Sequence, residues 1–147
     1  MLVAAVMISV SLARSPDDKE GWAGASWGSD PAPGMLCDAE GSDLRCYQPA
    51  GEDRVVGDVR LVQTSYYYGQ EGLYQVLLVT EDAQDADVLL DGLELAYGTG
   101  TSVGSRTRWE GQAVSVTFVP GLPAGGASVF YEVKRQDARP WKAARDL

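Results

Sequence analysis

Apolar residues along this chain fall into two kinds of run, and the spacing within each predicts its element. Residues 55–68 crowd Val, Leu, Thr and Tyr together, with an interruption at Gly57, and "LYQVLLVT" over 73–80 repeats that composition. β-Branched and aromatic residues suit a pleated, half-buried surface, so both segments read as strands. Gly69-Gln70-Glu71-Gly72 joins them as a hairpin, and a two-residue loop at Gln70 and Glu71 sets Tyr67 opposite Tyr74. Strict alternation then places Val62, Tyr66 and Tyr68 on one face and Val59, Leu61 and Tyr67 on the other. From 83 to 97 the period changes. Ala86, Leu89, Leu90, Leu93, Ala96 and Tyr97 recur at helical intervals and give one apolar stripe. Asp82 or Asp85 suits the helix start and Gly98 its end. Gly92 sits inside this helix, where glycine costs up to about 1 kcal/mol against alanine.

The remaining pattern is shorter. "GWAGASWGSDPAPG" reads as a brief strand running into turns at Asp30-Pro31 and Pro33-Gly34. Its Trp22 and Trp27 have an odd spacing, which puts them on opposite faces of any strand. Cys37 and Cys46 flank a polar loop, "DAEGSDLR", bent at Gly41 and Ser42, and "AGED" after it reads as a turn. Beyond the helix, 98–105 reads as a flexible glycine-rich loop. Residues 106–109 and 112–119 read as a hairpin turning at Glu110-Gly111, and 128–134 as the last strand. The order β-β-β-α-β-β-β with short connections predicts an α+β fold, an antiparallel sheet of about five to six strands with one helix on one face. Such a two-layer sandwich leaves a second sheet face, either covered by the Trp-rich segment and the tail or offered to a partner.

The ends divide off from this domain. Residues 1–13 carry a short uncharged apolar run, too short for a membrane span of roughly 20 residues and suited to a signal peptide cut between Ala13 and Arg14. No Lys or Arg precedes the run, a departure from the usual signal pattern. Residues 14–20 read as a polar leader, 21–135 as the single domain, and 136–147 as a polar tail with Pro140 and Trp141. An even cysteine count in an exported chain predicts a Cys37–Cys46 disulfide, and the spacing is not the C-x-x-C of a redox pair.

Composition narrows the function classes. At 147 residues the chain can bury about 68–70% of its unfolded surface as one domain. A net charge of −9 leaves no basic stripe for nucleic acid or for an anionic membrane surface. With no histidine, Ser-His-Asp and Cys-His catalysis are excluded, along with the commonest transition-metal ligand. The glycines at 98–105 follow a helix and precede a strand, the reverse of a phosphate cradle. Asp82, Asp85, Asp87 and Asp91 lack the central Gly and closing Glu of a calcium loop. No cofactor is expected, and no membrane insertion once the leader is removed. Paired carboxylates for hydrolysis stay open, because their separation is spatial.

Two clusters remain as candidate binding residues. Tyr66, Tyr67, Tyr68 and Tyr74 surround the hairpin turn, and tyrosine joins an apolar face to a polar tip. Arg106 and Arg108 share one strand face ahead of Trp109, positioned to grip an anion, to stack on the tyrosines, or to serve as a solvated edge. "Gly21-x-x-Gly24-x-x-Trp27-Gly28", "Leu93-x-x-x-Tyr97-Gly98" and the Trp109 hairpin resemble a loose group of small exported bacterial proteins of unknown function. The resemblance implies an envelope location and assigns no site residues. The sequence thus predicts a non-catalytic accessory or binding module with a protein or envelope ligand as partner. A small carboxylate hydrolase and a purely structural component are the alternatives.

Overall fold

A computed structural model of the chain describes residues 14–47, 55–56 and 59–134; the expected signal peptide, the "AGED" turn, the interruption at Gly57 and the polar tail lie outside them. The fold is α+β and dominated by one antiparallel sheet. A small hairpin comes first, β1 (Gly21–Trp22) with β2 (Ala25–Ser26). The main sheet is built from β3 (Leu36–Glu40), β4 (Asp43–Tyr47), β6 (Val59–Gly69) and β7 (Gly72–Thr80), then β8 (Thr101–Val103), β9 (Arg106–Glu110), β10 (Val114–Pro120) and β11 (Ala127–Val133). A two-residue β5 (Val55–Val56) pairs beside it with β6. Helix α1 (Ala83–Tyr97) separates β7 from β8.

In space the eight strands run β3-β4-β6-β7-β11-β10-β9-β8, so the last strand inserts between β7 and β10. This exceeds the strand number that the sequence predicts. The excess comes from two segments that looked like loops. "LCDAE" is exposed throughout and "DLRCY" is partly buried, yet they pair as a hairpin around Gly41-Ser42 with β3 at the sheet edge. Thr101–Val103 pairs with β9 as the opposite edge. β3 and β8 are the edge strands, which tolerate polar sequence because only one side of each is paired, whereas β4 is paired on both sides, by β3 and β6.

The face that packs against α1 is continuous. Cys46, Tyr66, Val76, Tyr131, Val116 and Trp109 stand in register across six strands, and all are buried. Two bulges in the β6–β7 hairpin make this possible. Leu61 pairs with Thr80 and Gln63 with Val79, so Val62 is an extra residue in β6. Tyr67 pairs with Gln75 and Tyr68 with Leu73, so Tyr74 is an extra residue in β7. A bulge shifts the alternation of everything beyond it. The strict alternation expected from sequence is therefore corrected: Val59, Leu61, Tyr66 and Tyr68 share the buried face, and Val62 turns outward at 47% exposure.

Helix α1 spans the residues its periodicity predicts. Asp82 is the N-cap, its Oδ1 accepting from the Asp85 amide at 2.9 Å, and the Gly98 amide closes the other end on the Glu94 carbonyl. Ala86, Leu89 and Leu93 are its buried stripe. Fifteen residues make a helix about 22 Å long, whereas eight strands make a sheet about 34 Å wide. One helix cannot cover that width. The Trp-rich segment completes the layer on the same face, with Trp22 against Tyr131 at 5.3 Å between ring centroids and Trp27 donating its indole N–H to the Lys19 carbonyl at 2.7 Å. The segment does not cover the second face.

Residues 14–20, which read as a polar leader, belong to this layer. Pro16 is buried in a short 3-10 turn, Pro16–Asp18. The Asp17 carboxylate accepts the backbone amides of Gln112, Ala113 and Val114 at 2.7, 2.7 and 2.8 Å, which ties the N-terminal segment to the β9–β10 turn. Gly111 leaves room for that carboxylate, which a Cβ would displace. Gly72, at φ +89°, permits an equally close approach of the Gly28 backbone, and Leu73 exchanges backbone hydrogen bonds with Gly28 and Ser29.

The three amides hold the Asp17 carboxyl below its ordinary range. A depressed folded-state pKa contributes stability that is present above the unfolded value and is lost as pH falls through the folded value. The melting temperature is therefore expected to drop on acidification below about pH 4, and Asp17→Asn should flatten that acid limb while lowering the melting temperature at neutral pH. Thermal melts across pH check this; an unchanged acid limb in Asp17→Asn would refute it. The Cys37–Cys46 disulfide links directly paired residues of the edge hairpin. Its removal in a double serine variant is expected to cost about 2–3 kcal/mol in chemical denaturation.

Candidate functional site

The four candidate tyrosines do not form one platform. Tyr66 and Tyr68 lie in the core, at 1% and 3% exposure, where burial raises the Tyr68 phenol above its ordinary range. Their large apolar area serves the fold. Tyr67 and Tyr74 stand on the outer face, half-buried. The β7 bulge re-aims Tyr74, which regular alternation would have sent into the core with Val76. Tyr67 thus pairs in register with Gln75 rather than Tyr74, yet the two rings meet at 6.4 Å and a 51° tilt. The Tyr74 hydroxyl donates to Asp43 Oδ2 at 2.8 Å, which locks the pair to the cystine hairpin.

The cation beside them is Arg45. Its guanidinium lies 5.1 Å from the Tyr47 ring and 5.7 Å from the Tyr67 ring, within cation–π range of both. Burial raises the Tyr67 phenol, and the Arg45 charge partly opposes that rise. Sequence reasoning passed over Arg45 because it sat inside a supposed loop, and over Tyr47 because the residues between that loop and the "AGED" turn were given no element. Their alternation with Leu44 and Cys46 is the strand signal that would have found them.

Arg106 and Arg108 share the outer face with Tyr67, but they cannot stack on it. Four strand spacings separate β9 from β6, about 19 Å at roughly 4.8 Å each. Arg106 is exposed. Arg108 Nε lies 2.7 Å from Glu110 Oε1, and Lys134 Nζ reaches Glu110 Oε2 at 3.3 Å. Pairs this exposed contribute about 0–1 kcal/mol and leave the arginines accessible.

Between these two ends runs a mixed row, in which Leu77 and Phe130 are half-buried and apolar, Thr117 is half-buried and polar, and Ser65 is fully buried. Tyr47, Ser65, Leu77, Phe130, Thr117 and Arg108 are in register across the sheet. Val79 and Val119 lie one step further along, again half-buried. The outer face therefore has Leu77 and Phe130 at its centre, Arg45 at one end and Arg106 and Arg108 at the other, with exposed Glu132 and Glu110 in the row that begins at Arg45 and Tyr67. No described residues group as three or more metal ligands, and no described helix is long and apolar enough to cross a membrane. Comparison of the chain with protein-family models, with curated proteins and with solved structures finds no match.

The two tyrosine sets should separate cleanly by stability. Tyr66→Ala is expected to cost about 3–5 kcal/mol, as for other large core aromatics. Tyr67→Ala should cost about 0.2–1 kcal/mol, the range of a cross-strand pair. Urea denaturation of both variants decides, and equal losses would contradict the assignment of Tyr67 to the outer face.

Proposed function

We propose that this chain is an exported cell-envelope protein, a non-catalytic accessory module that binds its partner through the outer face of the sheet. The observation that carries this reading is the composition of that face: the Tyr67–Tyr74 pair, Leu77 and Phe130 lie half-exposed between arginines at both ends. Aromatic residues and arginine are the types enriched where proteins bind one another, while isolated apolar residues carry no such meaning. An envelope protein or ligand with acidic groups flanking an apolar centre fits this layout. The Cys37–Cys46 disulfide supports export, since such bonds persist in oxidising compartments. Removal of residues 1–13 as a signal peptide and a periplasmic or secreted location complete the proposal. Hydrolysis by two acids is the weaker reading, because the cleft between Trp22 and α1 and the one beside Trp109 each hold a single carboxylate, Asp18 and Glu110.

Two measurements test it. Intact-mass analysis of protein recovered from the host envelope should show a chain beginning at Arg14 with the cystine formed; retention of Met1 with free thiols would overturn export. A photo-crosslinking residue placed at Tyr74 should yield a defined adduct in living cells, and one at Leu95, 80% exposed on α1, should not. Equal adducts from both sites, or none from Tyr74, would remove the outer face as the binding surface.

A further inference from the structure

On the opposite side of the sheet, α1 and the β1–β2 hairpin cover the core without closing over it. Between them lies a cleft of about 390 Å³, within the range of roughly 300–1,000 Å³ typical of small-molecule sites. Its floor is Leu78, Val59 and Tyr131 from the sheet; Leu89 and Leu93 form the helix wall, and Trp22 the facing wall. The rim is polar, with Arg14, Lys19 and Asp18. Lys19 Nζ lies 4.5 Å from the Trp22 ring centroid, at the border of the apolar wall and the rim. Among the described residues neither Arg14 nor Lys19 enters an ion pair, so the rim offers two cations against one carboxylate.

Gly92 adds an independent observation. It lines the same cleft from the middle of α1, where glycine is unfavourable. A Cβ added there would meet nothing within 4 Å, so no neighbour in the fold requires glycine. Glycine at this exposed position leaves the helix wall of the cleft without a side chain there.

We propose that this cleft binds a small amphipathic anion, an acyl or aryl carboxylate, with its apolar body between Trp22 and Leu93 and its head group between Arg14 and Lys19. The aliphatic and aromatic walls match a hydrocarbon body, and the unpaired cations at the rim match one negative charge. The site is separate from the outer face and does not depend on the function proposed for it.

The test titrates decanoate, decanol and decyltrimethylammonium into the full chain, followed by tryptophan fluorescence and calorimetry. Decanoate is expected to saturate one site and change the emission of Trp22, with the other two at least tenfold weaker. R14Q combined with K19Q should weaken decanoate at least tenfold. Gly92→Leu should abolish binding with the melting temperature retained, and Gly92→Ala should raise the melting temperature by improving the helix. No saturation by decanoate, equal affinity for decanol, or undiminished binding in Gly92→Leu would each overturn the proposal. Should Gly92→Leu fail to fold, undiminished decanoate binding in the Arg14/Lys19 double variant overturns it equally.

Discussion

A wide sheet must keep one face dry along every strand, and two inserted residues in a single hairpin hold that condition here. Val62 in β6 and Tyr74 in β7 each shift the alternation by one position. Between the two shifts, Tyr66 and Val76 fall on the face that β11, β10 and β9 continue. Without the first, Leu61 and Tyr66 would point to opposite sides, and a large aromatic ring would leave the core. The helix, the Trp22 contact and the Trp109 anchor all rest on this shared phase. Trp109 shows the linkage, since its indole donates to the Gly98 carbonyl just past α1 and its ring lies 6.5 Å from Tyr97.

The same bulge that keeps the core consistent also shapes the outer surface. A residue displaced from the ladder must go somewhere, and Tyr74 turns outward to meet Tyr67 and Asp43. The hairpin therefore contributes to both layers, with a core aromatic on each side of an exposed one. The two faces differ in how they are completed. The inner face is finished by the chain itself, from α1 and the Trp-rich segment, down to an open cleft beside Gly92. The described part of the chain places no second layer on the outer face, where apolar side chains stay half-exposed between charged ends.

Local features of this fold were legible in the sequence, and long-range ones were not. Helix α1, its aspartate cap (Asp82 or Asp85 from sequence, Asp82 in the fold), the Gln70-Glu71 turn and the Cys37–Cys46 bond all depend on residues close along the chain. The bulges escaped because an inserted residue leaves no compositional mark; Val62 is as good a strand former as its neighbours. Asp17 escaped for another reason. Its three amide partners lie 95 to 97 positions away, and nothing in a polar N-terminal stretch announces them. The outer-face site was half legible. Tyrosine clustering marked the hairpin, but only the register shows that Arg45, rather than Arg106 or Arg108, sits beside it.

The strand order has a consequence in time. β3, β4, β6 and β7 form one half of the sheet and β8, β9 and β10 the other, and the two halves are joined in the ladder only through β11. That strand is the last of the described elements to leave the ribosome. Until Val133 has emerged, each half has an unpaired edge and the Tyr66-to-Trp109 row is split in two. Pairing over such sequence distances is slow, because loop closure must precede the contacts that reward it. The sheet therefore cannot close until β11 is present, and the two halves meet only when that strand enters between them.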